Sequence, residues 1–309
     1  MRTACIFLML IVAAFSISPQ YSSAAEAEQK AQKQNTRSKM LFAPPVNVNL
    51  MGAGGVPDGM LLTNINTSFA DKIRPLDGAR RGSDVFSQTW LLKLRYGITD
   101  YLEIWSTTPY INNRRTNPEP NPQYIYGIGD SYLGLVFTPW HERRGDPFSA
   151  SASAAALVPI AAWGDHHPAG FGVWGFRGQA AIGKFLTQDI KIETEGVWVT
   201  RFDRGNQDVH IGDQFQWNGQ IRYLFNYFDI GIESSLVWQL ASDRKRPGQG
   251  VVDLRNDYTE WFVGPSVNFA IDPLGMWAGL GAFFPVMQRY QTPSKVENIR
   301  IEFKIGKVW

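Results

Sequence analysis

Phe148 to Ile160, FSASASAAALVPI, is the stretch on which the fold turns. Phe148, Ala150, Ala152, Ala154, Ala156, Val158 and Ile160 share one parity, and Ser149, Ser151 and Ser153 share the other. Alanine favours helices, but a helix of 3.6 residues per turn would scatter these serines around its circumference. A strand, whose side chains alternate, sorts them onto one face. Ile190 to Phe202 repeats the sorting with larger side chains. Ile190, Ile192, Trp198 and Phe202 fall on one parity, and Lys191, Glu193, Glu195 and Arg201 on the other.

Working outward, the same period of two predicts strands near 60–70, 85–96, 101–110, 125–137, 148–161, 173–185, 190–202, 213–225, 229–241, 257–269, 276–287 and 298–308. Each has the length of about ten to fourteen residues that a tilted strand needs to cross a bilayer. Strands of soluble sandwiches are about half as long. Gly97–Asp100, Leu186–Asp189, Asn226–Phe228 and Ile271–Gly275 read as tight turns. They alternate with longer polar links at 72–84, 112–124, 162–172, 203–212, 242–256 and 288–297, the short and long connections of an outer-membrane barrel. Thr138 to Pro147 is long for a turn on the short side. The fold class expected is therefore all-β, an antiparallel transmembrane β-barrel of about twelve strands of outer-membrane type. An even strand count would put both termini in the periplasm.

Composition agrees. Of 309 residues 19% are charged and 13% aromatic, with 11 Trp, a residue that sits well at the lipid–water boundary. A mean hydropathy of -0.21 argues against a bundle of transmembrane helices, which needs several apolar runs of about twenty residues. The formal charge of +2 includes Arg2 of the N-terminal leader and gives no indication of a nucleic-acid partner.

Residues 1–25 read as a cleaved signal peptide: Arg2, then an apolar run from Ile6 to Ile17, then the small-residue site Ser23-Ala24-Ala25 before Glu26. The only cysteine, Cys5, lies in that leader, so the mature chain would have no disulfide, thiolate nucleophile or cysteine-bound zinc. Residues 26–58 form a periplasmic leader, polar as far as Lys39. From Met40 it carries Val46, Val48 and Leu50, then Gly52, Gly54 and Gly55, an apolar extended segment able to plug a lumen. Residues 59–309 are the barrel. Its last strand alternates Ile299, Ile301, Phe303 and Ile305 with Arg300, Glu302 and Lys304 and ends on Trp309. A terminal aromatic of this kind resembles the signal by which the barrel-assembly machinery recognises its clients.

Two stretches resemble a known family. Leu94-Arg95-Tyr96-Gly97-Ile98-Thr99-Asp100-Tyr101-Leu102-Glu103-Ile104, with Thr108-Pro109-Tyr110, is similar to a strand–turn–strand of the outer-membrane transporters named for the meta pathway of phenol degradation. Gly127-Ile128-Gly129-Asp130 leading into Tyr132-Leu133-Gly134-Leu135 is similar to that family's next strand. The resemblance covers about a fifth of the chain and implies passage of small, aromatic or apolar compounds across the outer membrane.

The alternation fixes what a lumen must contain. A basic side chain at the lipid midplane costs about 2–4 kcal/mol, so charges collect on the inward parity. Those positions hold Lys93, Arg95, Arg177, Lys191, Arg201, Arg222, Arg300 and Lys304 with Glu103, Asp130, Glu193, Glu195, Glu233, Glu260 and Glu302. They form either a neutralising network that braces a narrow barrel or a polar conduit that selects solutes, and at this strand number the sequence leaves both open. A barrel phospholipase would need a serine–histidine pair, but His141, His166, His167 and His210 lack the usual surrounding run, so neither enzymatic activity nor a cofactor is expected. Asp165-His166-His167, with His210 or Asp208, falls short of a spaced metal set, and no metal is expected. Arg80-Arg81, Arg114-Arg115 and Arg244-Lys245-Arg246 on the long loops suit lipopolysaccharide phosphates, alongside membrane lipid and a small-molecule solute as partners. A structural or adhesion barrel and an outer-membrane lipid hydrolase are the competing functions.

The parity rule predicts unequal tolerance at neighbouring positions. Ala154→Arg should cost about 2–4 kcal/mol of assembly in lipid vesicles, and Ser153→Arg markedly less. Equal folding yields would show that this strand does not cross the bilayer.

Overall fold

The computed structural model describes residues 52–73, 85–115, 123–161, 169–202, 208–246, 250–254, 257–271, 275–290 and 296–309. Its strands are β1 (Leu61–Ile73), β2 (Val85–Gly97), β3 (Leu102–Arg115), β4 (Gln123–Ile128), β5 (Ser131–Trp140), β6 (Ser149–Val158), β7 (Gly175–Phe185), β8 (Ile190–Arg201), β9 (Val209–His210), β10 (Gln214–Leu224), β11 (Phe228–Gln239), β12 (Asp243–Arg246), β13 (Gly250–Asp253), β14 (Tyr258–Ile271), β15 (Met276–Tyr290) and β16 (Val296–Val308). All pairings between these strands are antiparallel, and an isolated bridge between Asp58 and Gly97 is parallel. The main sheet runs β1-β2-β3-β5-β6-β7-β8-β10-β11-β14-β15-β16, with β4 extending the β5 stave along β3. β16 then pairs with β1 from Leu62↔Val308 to Ile73↔Val296, which closes a barrel of 12 staves.

Side chains sort as the alternation requires. On β6, Ala152, Ala154 and Ala156 are exposed on the outer wall, while Ser149, Ser151, Ala155 and Leu157 are buried within. Leu133, Leu135, Phe137, Ile182, Ile230, Ile232 and Leu280 continue the apolar outer band. Exposed aromatics cluster at both rims. Tyr96, Tyr101, Trp140, Phe225 and Tyr227 lie at the end with the tight turns, and Phe86, Trp174, Phe202 and Trp238 at the end with the long loops.

On β1, Leu62 to Ser68 are all buried, without alternation. Three further features depart from the even pattern. The stave expected at 125–137 breaks between β4 and β5, where Asp130 turns inward and its carboxylate accepts the amides of Phe171 (2.7 Å) and Gly172 (3.1 Å). Parts of the links expected at 203–212 and 242–256 form a small sheet of their own, β13-β12-β9. The long connection at 138–147 is a 3-10 turn, Glu142–Arg144, closed by Gly145 in the left-handed region (φ 88°). That turn folds under the barrel and grips the segment ahead of β1.

That segment, residues 52–58, runs inside the wall as a strap. Ala53 and Val56 are buried, and Val56 packs with Leu62 and Trp277. The strap crosses β2 at Gly97, whose amide donates to Met60 O (3.0 Å) and whose carbonyl accepts from Gly59 N (2.9 Å). A Cβ at Gly97 would lie 1.9 Å from the Pro57 carbonyl oxygen, so only glycine fits under this crossing. Val46, Val48 and Leu50, and with them the signal peptide and polar leader, lie outside the described residues.

The crossing generates a direct test. Gly97→Ala should lower stability against urea in vesicles by about 1–3 kcal/mol through backbone displacement. Gly196→Ala, where the nearest side-chain atom is Phe215 Cζ at 3.9 Å, should match the parent. Equal midpoints for both variants would mean that the strap does not pass over β2.

Candidate functional site

Alternation places the polar side chains of β2, β3, β7, β8, β10, β11, β14 and β16 inside the ring, where they form layers between the turn end and the loop end. Nearest the turn end, three carboxylates hold the strap by its backbone. Glu195 Oε2 accepts Gly52 N (3.3 Å), Glu193 Oε1 accepts Ala53 N (3.2 Å) and Glu103 Oε2 accepts Val56 N (2.7 Å). Gly52 supplies the required bend at φ 82°. Cations complete the layer: Arg95 bonds Glu103 (2.7 Å) and the Gly54 carbonyl (2.9 Å), and Lys191 pairs with Glu193 (2.8 Å). Gln179 and Asn218 donate to Glu195, and Gln220 to Glu193.

Around the wall, Arg222 is the centre of a second cluster. It bonds Asp229 through Nε (2.6 Å) and Nη2, and Glu233 (2.6 Å), Ser266 (3.0 Å) and Gln220 (3.2 Å) through Nη1. All these charges are buried. Removing the arginine alone would strand two carboxylates, at a cost of about 3–5 kcal/mol. Glu302 and Lys304 are buried on β16, and Lys304 Nζ has no hydrogen-bond partner among the described residues. Near the loop end, Arg300 bonds Glu297 (2.7 Å), lies 4.0 Å from Glu260 and stacks over Phe262, while Tyr290 donates to Glu260 (2.5 Å).

Between the strap layer and the loops lies a chamber of about 260 Å³. Its wall combines Lys93, Arg177, Arg201 and Asp130 with Trp105, Tyr132, Phe171, Leu91, Leu157 and Val199. Trp105 and Tyr132 are stacked at 6.3 Å, and Trp105 Nε1 is anchored on Ser153 (3.0 Å). Arg177 lies over both rings (5.3 and 5.7 Å), and Arg201 over Phe171 (5.1 Å).

All the inward charged positions read from the sequence therefore face the interior, distributed over the strap layer, the Arg222 cluster, the Arg300 cluster and the chamber. Sequence reasoning missed Asp229, which shares the parity of Glu233 and could have been found. It also missed Glu297, which sits beyond an irregularity in the β1–β16 register between Asp71 and Lys72 and so escapes the alternation. Trp105 and Tyr132 escape notice because an aromatic on a membrane strand suits lipid equally well, and Phe171 because it lies on the link at 162–172.

Outside the lumen, Trp309 Nε1 donates to Thr63 (3.1 Å) beneath the Lys307 ammonium, 3.5 Å from its ring. His210 contacts the Arg201 carbonyl (3.2 Å) and Asp243 (3.7 Å). Asp208 has φ 56°, and Arg114 is exposed. Asp165, His166, His167, Arg80 and Arg81 lie outside the described residues, as do the side chains of Arg115, Arg244, Lys245 and Arg246.

A closed antiparallel barrel with an apolar outer band, aromatic rims and a charged interior is the architecture of an outer-membrane β-barrel protein. Within that class, the chain belongs to the family described as Putative MetA-pathway of phenol degradation, whose model matches residues 66–292. Among solved structures it is similar to an outer membrane channel from Pseudomonas putida F1, at 14% identity and a TM-score of 0.65, covering 83% of this chain and 98% of that one. The transport unit of the autotransporter AIDA-I from Escherichia coli (12% identity, TM-score 0.46, 88% and 94% covered) and the TodX monoaromatic hydrocarbon channel (9%, 0.46, 81% and 90%) are also similar. No curated protein sequence matches.

The turn beneath the strap carries a titratable group. His141 Nδ1 accepts Arg143 N (3.0 Å), and Arg143 Nη2 donates to Gly55 O (2.7 Å). Burial, with Arg143, Lys191 and Arg144 nearby, lowers the His141 pKa from 6.5 to about 3. Above pH 6.5 the imidazole is neutral whether folded or unfolded. Below it, the unfolded chain takes up a proton that the folded turn refuses, so stability falls with pH down to about 3. Between pH 6.5 and 5 this amounts to about 2 kcal/mol. Urea midpoints at the two pH values should differ more in the parent than in His141→Gln; an equal drop in both would place the sensitivity elsewhere.

Proposed function

We propose that this protein is an outer-membrane channel for the passive passage of small, aromatic or apolar compounds, with the strap as the constriction of its lumen. The observation that carries the reading is the chamber of about 260 Å³ directly above the strap, in the size range of a monocyclic solute. The likeness to an outer membrane channel of the same fold supports it. The pairing of Leu61 with Trp309 at the turn end supports periplasmic termini, with the long loops facing outward as in other outer-membrane barrels. The strap, continued upstream by Val46, Val48 and Leu50, gives a charged interior an apolar collar. Trp309 serves recognition by the assembly machinery, and the loop arginines meet lipopolysaccharide phosphates.

A channel accounts for the histidines better than a hydrolase does: His141 and His210 engage backbone groups rather than a serine. Planar-bilayer recording provides the test. The full-length protein should conduct weakly, and deletion of residues 40–55 should raise conductance several-fold. Conductance unchanged by the deletion would remove the strap from the pathway. Absence of both conductance and solute uptake in liposomes would instead identify a structural barrel.

A further inference from the structure

The chamber above the strap is unevenly charged, and we infer that it is a binding site for a monoaromatic carboxylate, a benzoate-like anion, in transit. The inference rests on the channel reading and names its solute class. Three cations, Lys93, Arg177 and Arg201, line the chamber against one carboxylate, Asp130. That carboxylate is occupied by the backbone amides of Phe171, Gly172 and Ala161. The acids of the layer below are likewise engaged: Glu103, Glu193 and Glu195 each accept a strap amide. The lining of the chamber itself therefore holds more cations than acids.

The cations are arranged for more than a bare ion. Two of them lie over aromatic rings, Arg177 over Trp105 and Tyr132 and Arg201 over Phe171. A guanidinium presents its N–H groups in one plane, where a carboxylate can take two at once. Arg201 shows the need for such a group: its Nε and Nη1 are buried without a hydrogen-bond partner among the described residues. A pure hydrocarbon would leave those donors unpaired, whereas an aromatic acid satisfies them with its carboxylate and sets its ring against Trp105, Tyr132 and Leu157. Burial of an unpaired donor is unfavourable enough to decide between the two solutes.

The test uses the full-length protein refolded in detergent, with benzoate and its neutral isostere benzamide as probes followed by calorimetry. Benzoate should bind at least ten-fold more tightly than benzamide, and Arg201→Gln should remove most of that difference while benzamide binding stays unchanged. Equal affinity for the two probes, or displacement of benzoate by chloride at the same concentration, overturns the inference. Because the probe comparison needs no substitution, a variant that fails to fold does not affect it. Bilayer recording separates the two proposals. A conducting barrel without benzoate preference leaves the channel standing and rejects this site. Selective benzoate binding by a barrel that passes neither ions nor benzoate supports the site and rejects the channel.

Discussion

No backbone amide can stay unpaired inside a hydrocarbon slab, and the rest of this structure follows from that constraint. It forces the sheet to close through β1 and β16, and closure leaves the side chains two environments, lipid or lumen. Lipid accepts only apolar groups, so the alternation that gives β6 its rows of alanine and serine also carries most charged residues of the staves inward, Lys184 and Lys307 near the turn end being exceptions. The charged interior is thus a by-product of building a wall, before it is anything functional.

A crowded charged interior must then neutralise itself. Burying ions is unfavourable unless each finds a counter-charge and further hydrogen bonds. The Arg222 cluster meets that demand with two carboxylates, a serine and a glutamine. The strap layer meets it differently, since Glu103, Glu193 and Glu195 use backbone amides as partners in addition to side chains. Peptide N–H groups bring no charge of their own, so this layer can hold an extended segment without adding further cations.

The wall was legible in the sequence because period two is a local property, visible wherever a strand is regular. Ala154, Ser153, Glu193 and Trp198 all lie where alternation puts them. The losses occur where geometry departs from regularity. Glu297 changes parity across an irregular register, and Asp130 leaves the ladder to meet three loop amides. The chamber was harder to read for another reason. Trp105 has the parity of Glu103, but an aromatic on a membrane strand suits lipid equally well, and only the stacking of Tyr132 and Arg177 against it reveals an inward role. The contacts of residues 52–58 were not readable at all, because they join backbone atoms to acids between 47 and 143 positions away.

The course of that segment has a mechanical consequence. It leaves the wall at the β1–β2 seam, and its first described residue, Gly52, is held by Glu195 of β8, which stands opposite β1 in the ring of 12 staves. It is therefore a spoke across the diameter. A hollow cylinder in a bilayer is pressed laterally and can flatten into an ellipse, and a member fixed at both ends of a diameter resists that change of cross-section. The same few residues proposed to narrow the bore would also keep it round.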